Sequence, residues 1–428
     1  MPRESFLGGQ KHRPARRRGF ALIITLALLA LLVLAVMALS ALVKVGGQVS
    51  AAGAYQMQAR QNALTGLNVG LGELQRHAGD DTRITAMAGI TGIAANAGNT
   101  TRHWCGVWRN DGTFVAWLVS GAQSSPTAAL PNGVTGIELV SVGSVGAPAA
   151  NSEHVIAGKI PIVVSETPGT PGVAATIGHY AFLVSDEGVK TPAYSPAPFP
   201  VVAPVIFASA TNAQSRLRDA LTAYAPNLSK VISYEQLAVL PSPAAALSPS
   251  TLQDNFHHVT LAGRALGGNQ LHGGMMNVNM NSAIFWRNLL QTYNTVPGIP
   301  ATITSATVSA RGTTIQNNLP AFATAGKSPN GPFTSITSFG NYLATIFPAT
   351  GSPTAAQIMP AVGPMLTVRS DTFRLRAYGE ALNPADPTKI EATAYCEAIV
   401  QRTPDPAPNE LGRRFITLYF RWLGPDDI

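Results

Sequence analysis

Cysteine is nearly missing from this sequence: Cys105 and Cys396 are the only two in 428 residues. They lie too far apart to form a C-x-x-C motif, so that kind of metal or redox chemistry is excluded. In an oxidising compartment they could bridge; two separate buried thiols are the other reading, and both stay open. Charge is scarce as well, with 12% of residues charged. The net charge of +7 is mostly a terminal feature, because Arg3, Lys11, Arg13, Arg16, Arg17 and Arg18 stand against Glu4 alone within residues 1–19. No later stripe of Lys and Arg with interleaved aromatics occurs, which excludes a nucleic-acid partner.

Catalytic signatures are missing too. Neither H-E-x-x-H nor G-x-S-x-G occurs. Gly326-Lys327-Ser328 resembles the end of a phosphate loop, but Ala321 stands where its first Gly is required, and Pro329-Asn330-Gly331 blocks the helix that must follow. His257-His258 has no ligand partner at helical spacing and reads as surface or core. Asn277, Asn279 and Asn281 echo the oxygen ladder of a calcium loop without any carboxylate, and position twelve is Asn288. A polar strand edge accounts for them. Asp186 and Glu187, within Ser185-Asp186-Glu187-Gly188-Val189-Lys190, could be ligands but read as a solvated turn. The composition therefore implies no cofactor and no metal.

What the chain does have is one long hydrophobic run. From Phe20 to Val43 the only polar residues are Thr25 and Ser40, and charge resumes at Lys44. As a helix this run is about 36 Å long, enough to cross a hydrocarbon core of about 30 Å. The basic residues before it predict a cytoplasmic N-terminus and a single pass, with the remainder exported. An ordinary secretory signal has an apolar core of only about 7–15 residues with its cleavage site beyond it. Here the unhindered backbone at Gly19 offers a cleavage site before the run.

Arg18-Gly19-Phe20-Ala21-Leu22-Ile23 resembles the prepilin-type signal of type IV pilins and type II secretion pseudopilins. The resemblance implies that a prepilin peptidase cuts between Gly19 and Phe20 and that the new Phe20 terminus is methylated. At the fifth mature position, where most members carry Glu, this chain has Ile24. Minor pseudopilins of the K type, found at filament tips, share that departure. Their inserted helical domain is also similar to the layout described below, and Gly331-Pro332-Phe333-Thr334-Ser335 and residues 366–377 look like their later segments. Residues 18–29, Ser185-Asp186-Glu187-Gly188-Val189-Lys190, residues 373–380 and Tyr395-Cys396-Glu397-Ala398-Ile399-Val400-Gln401-Arg402 resemble protein A of the verrucomicrobial pilin-like cassette Verru_Chthon.

The rest of the chain reads as α+β: a long N-terminal membrane-spanning helix and an antiparallel β pilin-like head with a helical insertion. Residues 1–19 are the leader, 20–43 the transmembrane helix and 44–80 its continuation onto the head. Leu64, Leu67, Leu71 and Leu74 recur at spacings of three and four and predict the packing face. Gly46-Gly47 predicts local unwinding, and Gly79 a left-handed cap. Residues 81–190 form the first β-rich part, with a hairpin over 104–119 turning at Asn110-Asp111-Gly112 and strands over 136–142, 155–164 and 180–184. Residues 191–204 are a Pro/Ala-rich linker. Residues 205–347 are the helical insertion, with helices over 212–224, 282–293 and 335–346. Residues 348–428 close the chain as a β meander, with strands over 371–378, 391–401 and 414–423.

These features predict a non-enzymatic minor pilin-like or pseudopilin-like subunit, anchored in the inner membrane with a periplasmic head and extractable into a filament that it initiates or caps. Its expected partners are the inner membrane, prepilin peptidase, sibling subunits and secreted cargo. A signal-anchored periplasmic enzyme or ligand-binding protein is the alternative. A cleft with converging His, Asp or Glu would favour that alternative.

Overall fold

The computed structural model describes residues 18–93, 100–146, 153–164, 175–192, 253, 256–261, 276–294, 296–323 and 331–428. The helix expected over 212–224 and the Gly326-Lys327-Ser328 segment lie outside them. The chain divides into two units, Met1–Tyr55 and Gln56–Ile428. It is α+β, with one N-terminal apolar helix and sheets that among the described residues are antiparallel apart from two short parallel pairs.

Helix α1 runs without interruption over Arg18–Ala78. In the first unit every residue from 20 to 54 is exposed. No unwinding occurs at Gly46-Gly47. An isolated helical glycine costs up to about 1 kcal/mol, too little to stop a helix that continues on both sides.

In the second unit α1 docks by a face that shares only Leu74 with the predicted one. Ala59, Asn62, Ala63, Gly66, Gly70, Leu74 and Ala78 are buried, whereas Leu64 is exposed and Leu67 and Leu71 are half-buried. The reason is distance. Small residues let the helix backbone approach the sheet: a Cβ on Gly66 would lie 2.9 Å from Ala181 O, and one on Gly70 would lie 2.9 Å from the Phe182 ring. Leu64, Leu67 and Leu71 flank this seam. Gly79 does not take the left-handed conformation predicted for it. It is small because the backbone at Leu411 and Gly412 passes against it, where Arg413 N–H donates to Gly79 O at 2.7 Å.

After α1, β1 (Arg83–Met87), β2 (Cys105–Arg109) and β3 (Phe114–Trp117) form an antiparallel sheet in the order β1-β2-β3. The predicted hairpin is there, with Gly112 at φ +83° in its turn. β4 (Gly136–Val140) leads into the one-turn α2 (Val142–Val145) and pairs with β5 (Val155–Gly158). The strand expected over 155–164 is two strands. At Lys159, whose N–H donates to Thr135 O at 2.8 Å, the chain leaves β4 and continues as β6 (Ile160–Val164) beside β7 (Ala175–Asp186).

The segments between β7 and the last sheet strands are partly described. β8 (Thr191–Pro192) pairs in parallel with β9 (Val259–Thr260). β10 (Met276–Asn277) pairs in parallel with β11 (Leu366–Thr367). Between β10 and β11 lie α3 (Ala283–Tyr293), α4 (Ser305–Ala323), α5 (Ile336–Ile346) and α6 (Ala355–Val362). The predicted helices over 282–293 and 335–346 are α3 and α5, each opened by a serine cap at Ser282 and Ser335. The helices pack through stacked Trp286 and Phe339, 5.4 Å apart, and Tyr342 OH donates to Ile315 O. The first part of 348–428 is therefore helical rather than stranded, because α6 carries Ile358 and Val362 into the same core.

β12 (Thr372–Asn383), β13 (Asp386–Pro406) and β14 (Arg413–Leu423) form the predicted closing meander. β12 also pairs antiparallel with β7, giving a five-stranded sheet in the order β14-β13-β12-β7-β6. The helices are thus inserted between neighbouring strands of one sheet. Alternation along β12 separates its two faces. Gly379 meets Ala63 of α1, while the opposite parity carries Arg374, Arg376, Tyr378 and Glu380.

Candidate functional site

The N-terminal apolar segment is a helix with almost nothing to repel lipid. Phe20 and Ile24 are exposed on it, at 69% and 44%. The Thr25 hydroxyl donates to Leu22 O at 2.9 Å, so this polar group is satisfied within the helix, as a hydrocarbon environment demands. One N-terminal apolar helix is thus long enough and apolar enough for a single membrane-spanning segment. Gly19 lies next to Phe20 in the first turn.

On the head, the turn expected at Ser185–Lys190 is present but not solvated. Asp186 is 3% exposed and Glu187 1%. Glu187 accepts from Lys190 Nζ at 2.6 Å, from Arg374 Nε at 3.1 Å and from Thr260 Oγ1 at 2.5 Å. Beyond it Arg374 and Arg376 both pair with Glu397, at 3.0 and 2.7 Å. Phe256 lies beneath Lys190, Arg374 and Arg376, each 4.8–5.2 Å from its ring centroid. Burial pushes the Asp186 carboxyl up to about 6. Burial would raise Glu187 too, but Lys190 and Arg374 outweigh it and hold its carboxyl at about 2. The charges need one another because a buried ion without a partner is very costly.

The three asparagines are likewise buried. Asn277 lies in β10, and its amide donates to Thr85 O, Thr85 Oγ1 and Ser370 Oγ at 2.9–3.0 Å. Asn279 accepts from Phe333 N–H at 2.7 Å and donates to Phe333 O and Val368 O. Asn281 donates to Gly89 O at 2.9 Å. They satisfy backbone groups inside the fold rather than edging a strand towards solvent.

Cys105 and Cys396 are both buried, free thiols. Cys396 faces α1, 3.9 Å from Ala63 O, while Cys105 sits in the β1-β2-β3 sheet. Burial raises both thiols, that of Cys396 to about 12.

His257 is buried and His258 half-buried, and the sequence reading missed their neighbours. Three separate loops converge there. His103 precedes β2, Glu153 precedes β5 and His257 precedes β9. His103 Nε2 lies 3.0 Å from Glu153 Oε2, and Arg102 Nη1 lies 3.3 Å from Glu153 Oε1. The rings of His103 and His257 stack at 3.7 Å with 8° between planes. His257 Nε2 lies 2.8 Å from Glu153 O. Burial lowers the pKa of His103, of His257 more strongly, and of His258 to about 4. Near neutral pH these imidazoles are therefore uncharged, the form that offers a lone pair to a cation. No spacing rule could have found this set, because each member comes from a different loop.

No known protein family and no curated protein matches the chain. Among solved structures, a chain of the GspK–GspI–GspJ complex from the type 2 secretion system of enterotoxigenic Escherichia coli is similar at 11% identity. The similarity covers 62% of this chain and 84% of that chain, with a TM-score of 0.33.

Proposed function

We propose that the chain is a non-enzymatic, minor pilin-like or pseudopilin-like subunit, held in the inner membrane by α1 with its head in the periplasm. The observation that carries this reading is α1 itself: one uninterrupted helix, apolar and exposed at its start and docked by a small-residue seam on an antiparallel sheet further along. Such a helix can leave lipid for a bundle of sibling helices without refolding. The prepilin-type signal at Gly19-Phe20 supports the same reading, and the segments quoted above support the finer resemblance to Verru_Chthon protein A.

Mass spectrometry of the membrane-extracted protein tests it. The expected mature terminus is Phe20, methylated, and Gly19→Val leaves the leader attached. An intact leader on the wild-type membrane protein overturns the assignment. The convergence of His103, Glu153 and His257 favours a second reading, a signal-anchored periplasmic ligand-binding protein, for which the leader would stay uncleaved.

A further inference from the structure

The cluster of His103, Glu153 and His257 combines imidazole, a borderline donor, with carboxylate, a hard one, a mixed set that the borderline zinc ion accepts. All three offer a ligand atom within 4.8 Å of the others. We propose that these three side chains bind one divalent transition-metal ion of the zinc class, clipping residues 256–261 to the first β-rich part of the head. Two histidines and a glutamate are a recurrent zinc ligand set, whereas calcium and magnesium take oxygen ligands.

The local geometry points the same way. The His103 side chain is only 8% exposed, yet its Nε2 makes no hydrogen bond, because the 3.0 Å approach to Glu153 Oε2 falls off the ring's N–H line. A buried ring nitrogen held 3.0 Å from a carboxylate oxygen without an aligned hydrogen bond is a place where the two atoms can share a cation. Arg102 binds the other carboxylate oxygen and anchors itself on Asn281 O at 2.7 Å. Oε2 is thereby turned towards the histidines, in the manner of outer-shell partners that orient metal ligands.

The ion also requires a change. Zinc bonds of about 2.0–2.2 Å at tetrahedral angles set ligand atoms about 3.3–3.6 Å apart, so a pair as wide as 4.8 Å has to close by about 1 Å. Two stacked imidazoles cannot both point their lone pairs at one ion between them. Binding therefore turns at least one ring out of the stack and draws the loop before β9 onto the loop before β2.

The test uses the full-length, untagged chain in detergent, stripped with a chelator and then titrated with zinc chloride under calorimetry and elemental analysis. The expected result is one zinc per chain and a raised melting temperature. His103→Ala and Glu153→Gln each weaken zinc binding at least ten-fold and abolish the rise. His77→Ala, which removes a histidine paired with Glu73 on α1, retains both effects. Cobalt(II) added to the wild type should give the intense visible absorption of a low-coordinate site, a readout that needs no variant to fold. Less than one zinc per wild-type chain, binding unchanged in His103→Ala and Glu153→Gln, or a cobalt spectrum that stays that of the aqueous ion would overturn the proposal. The site belongs to the head alone, so the outcome is independent of where the leader is cleaved.

Discussion

Gly379 on β12 lies directly under Ala63 on α1, so close that a Cβ on the glycine would overlap the Ala63 amide nitrogen. This contact sets the distance between helix and sheet. Gly379→Ala should therefore force the two apart and destabilise the head by about 1–3 kcal/mol, as overpacking does elsewhere. Gly72 is the control, since nothing lies within 4 Å of its Cβ position and it stands on the exposed side of the same helix. Gly72→Ala should raise stability by up to about 1 kcal/mol through helix propensity. Thermal melts of the two variants check the contrast; equal effects of one sign would exclude the close-approach account.

Asn279 makes the second prediction. Its side chain is fully buried and serves Phe333 N–H, Phe333 O and Val368 O together. Asn279→Ala removes the side-chain bonds to Phe333 N–H and Phe333 O in the interior, at about 1–3 kcal/mol for each one that water cannot replace, while Val368 O keeps its bond from Thr85 N–H. Hydrogen exchange should show the loss first at Phe333, where the segment before α5 is held against β10 and β11. Unchanged protection at Phe333 would mean that the asparagine is not the latch.

Glu187 and its neighbour give a pH dependence with two limbs. Glu187 is held near 2 against an ordinary value of 4.5, so its stabilisation is complete above about pH 4.5 and is lost as pH falls through about 2. Asp186 works the other way. Its carboxyl, raised from 3.8 to about 6 by burial, costs stability as pH rises from about 4 to about 6, because the unfolded chain ionises first. Glu187 faces Lys190, Arg374 and Thr260, and Asp186 faces Ser370, Thr85 and the Gly188 amide. Glu187→Gln should cost about 3–5 kcal/mol by leaving Lys190 and Arg374 undercompensated. It should also flatten the acid limb of denaturant-derived stability measured from pH 5 to pH 2. An acid limb as steep in Glu187→Gln as in the wild type would assign the dependence elsewhere.

How much was legible follows from these residues. The β2–β3 hairpin was readable because Asp111-Gly112 announces its turn, and the closing meander because its strands alternate. The helix seam was not, since periodicity marks leucines and the contact depends on their absence at Ala59, Ala63, Gly66 and Gly70. Strand β1 is only Arg83–Met87 and follows closely on α1, so the brief alternation of Ile84 and Ala86 with Arg83 and Thr85 is too short to mark it. Buried Asp186 and Glu187 read as a solvated turn because nothing local reveals that β12 beside them is covered on both faces. His103 and Glu153 stayed invisible for a related reason, as their meeting depends on three loop conformations.

The last prediction concerns Ile24. In a filament of siblings, a carboxylate at the fifth mature residue can pair with the terminal amine of the neighbouring subunit, which lessens the cost of two polar groups inside an apolar bundle. A subunit with Ile24 has no such acid to offer to a neighbour above it. If it is cleaved after Gly19 as proposed, it can still present its own Phe20 amine to a Glu-bearing sibling arriving below, and the expected place for it is then the tip, where assembly starts. The helices inserted between β7 and β12 agree with that placement, because such bulk obstructs stacking in a shaft but not at an end. Ile24→Glu should therefore be tolerated, with filament number within about two-fold of wild type, whereas deleting the protein should cut filament number and leave the shaft unchanged. Counting filaments by electron microscopy and locating labelled subunits along them checks both outcomes. Label distributed along the whole shaft at the abundance of the major subunit would exclude the tip and leave the missing acid to be explained by something other than position.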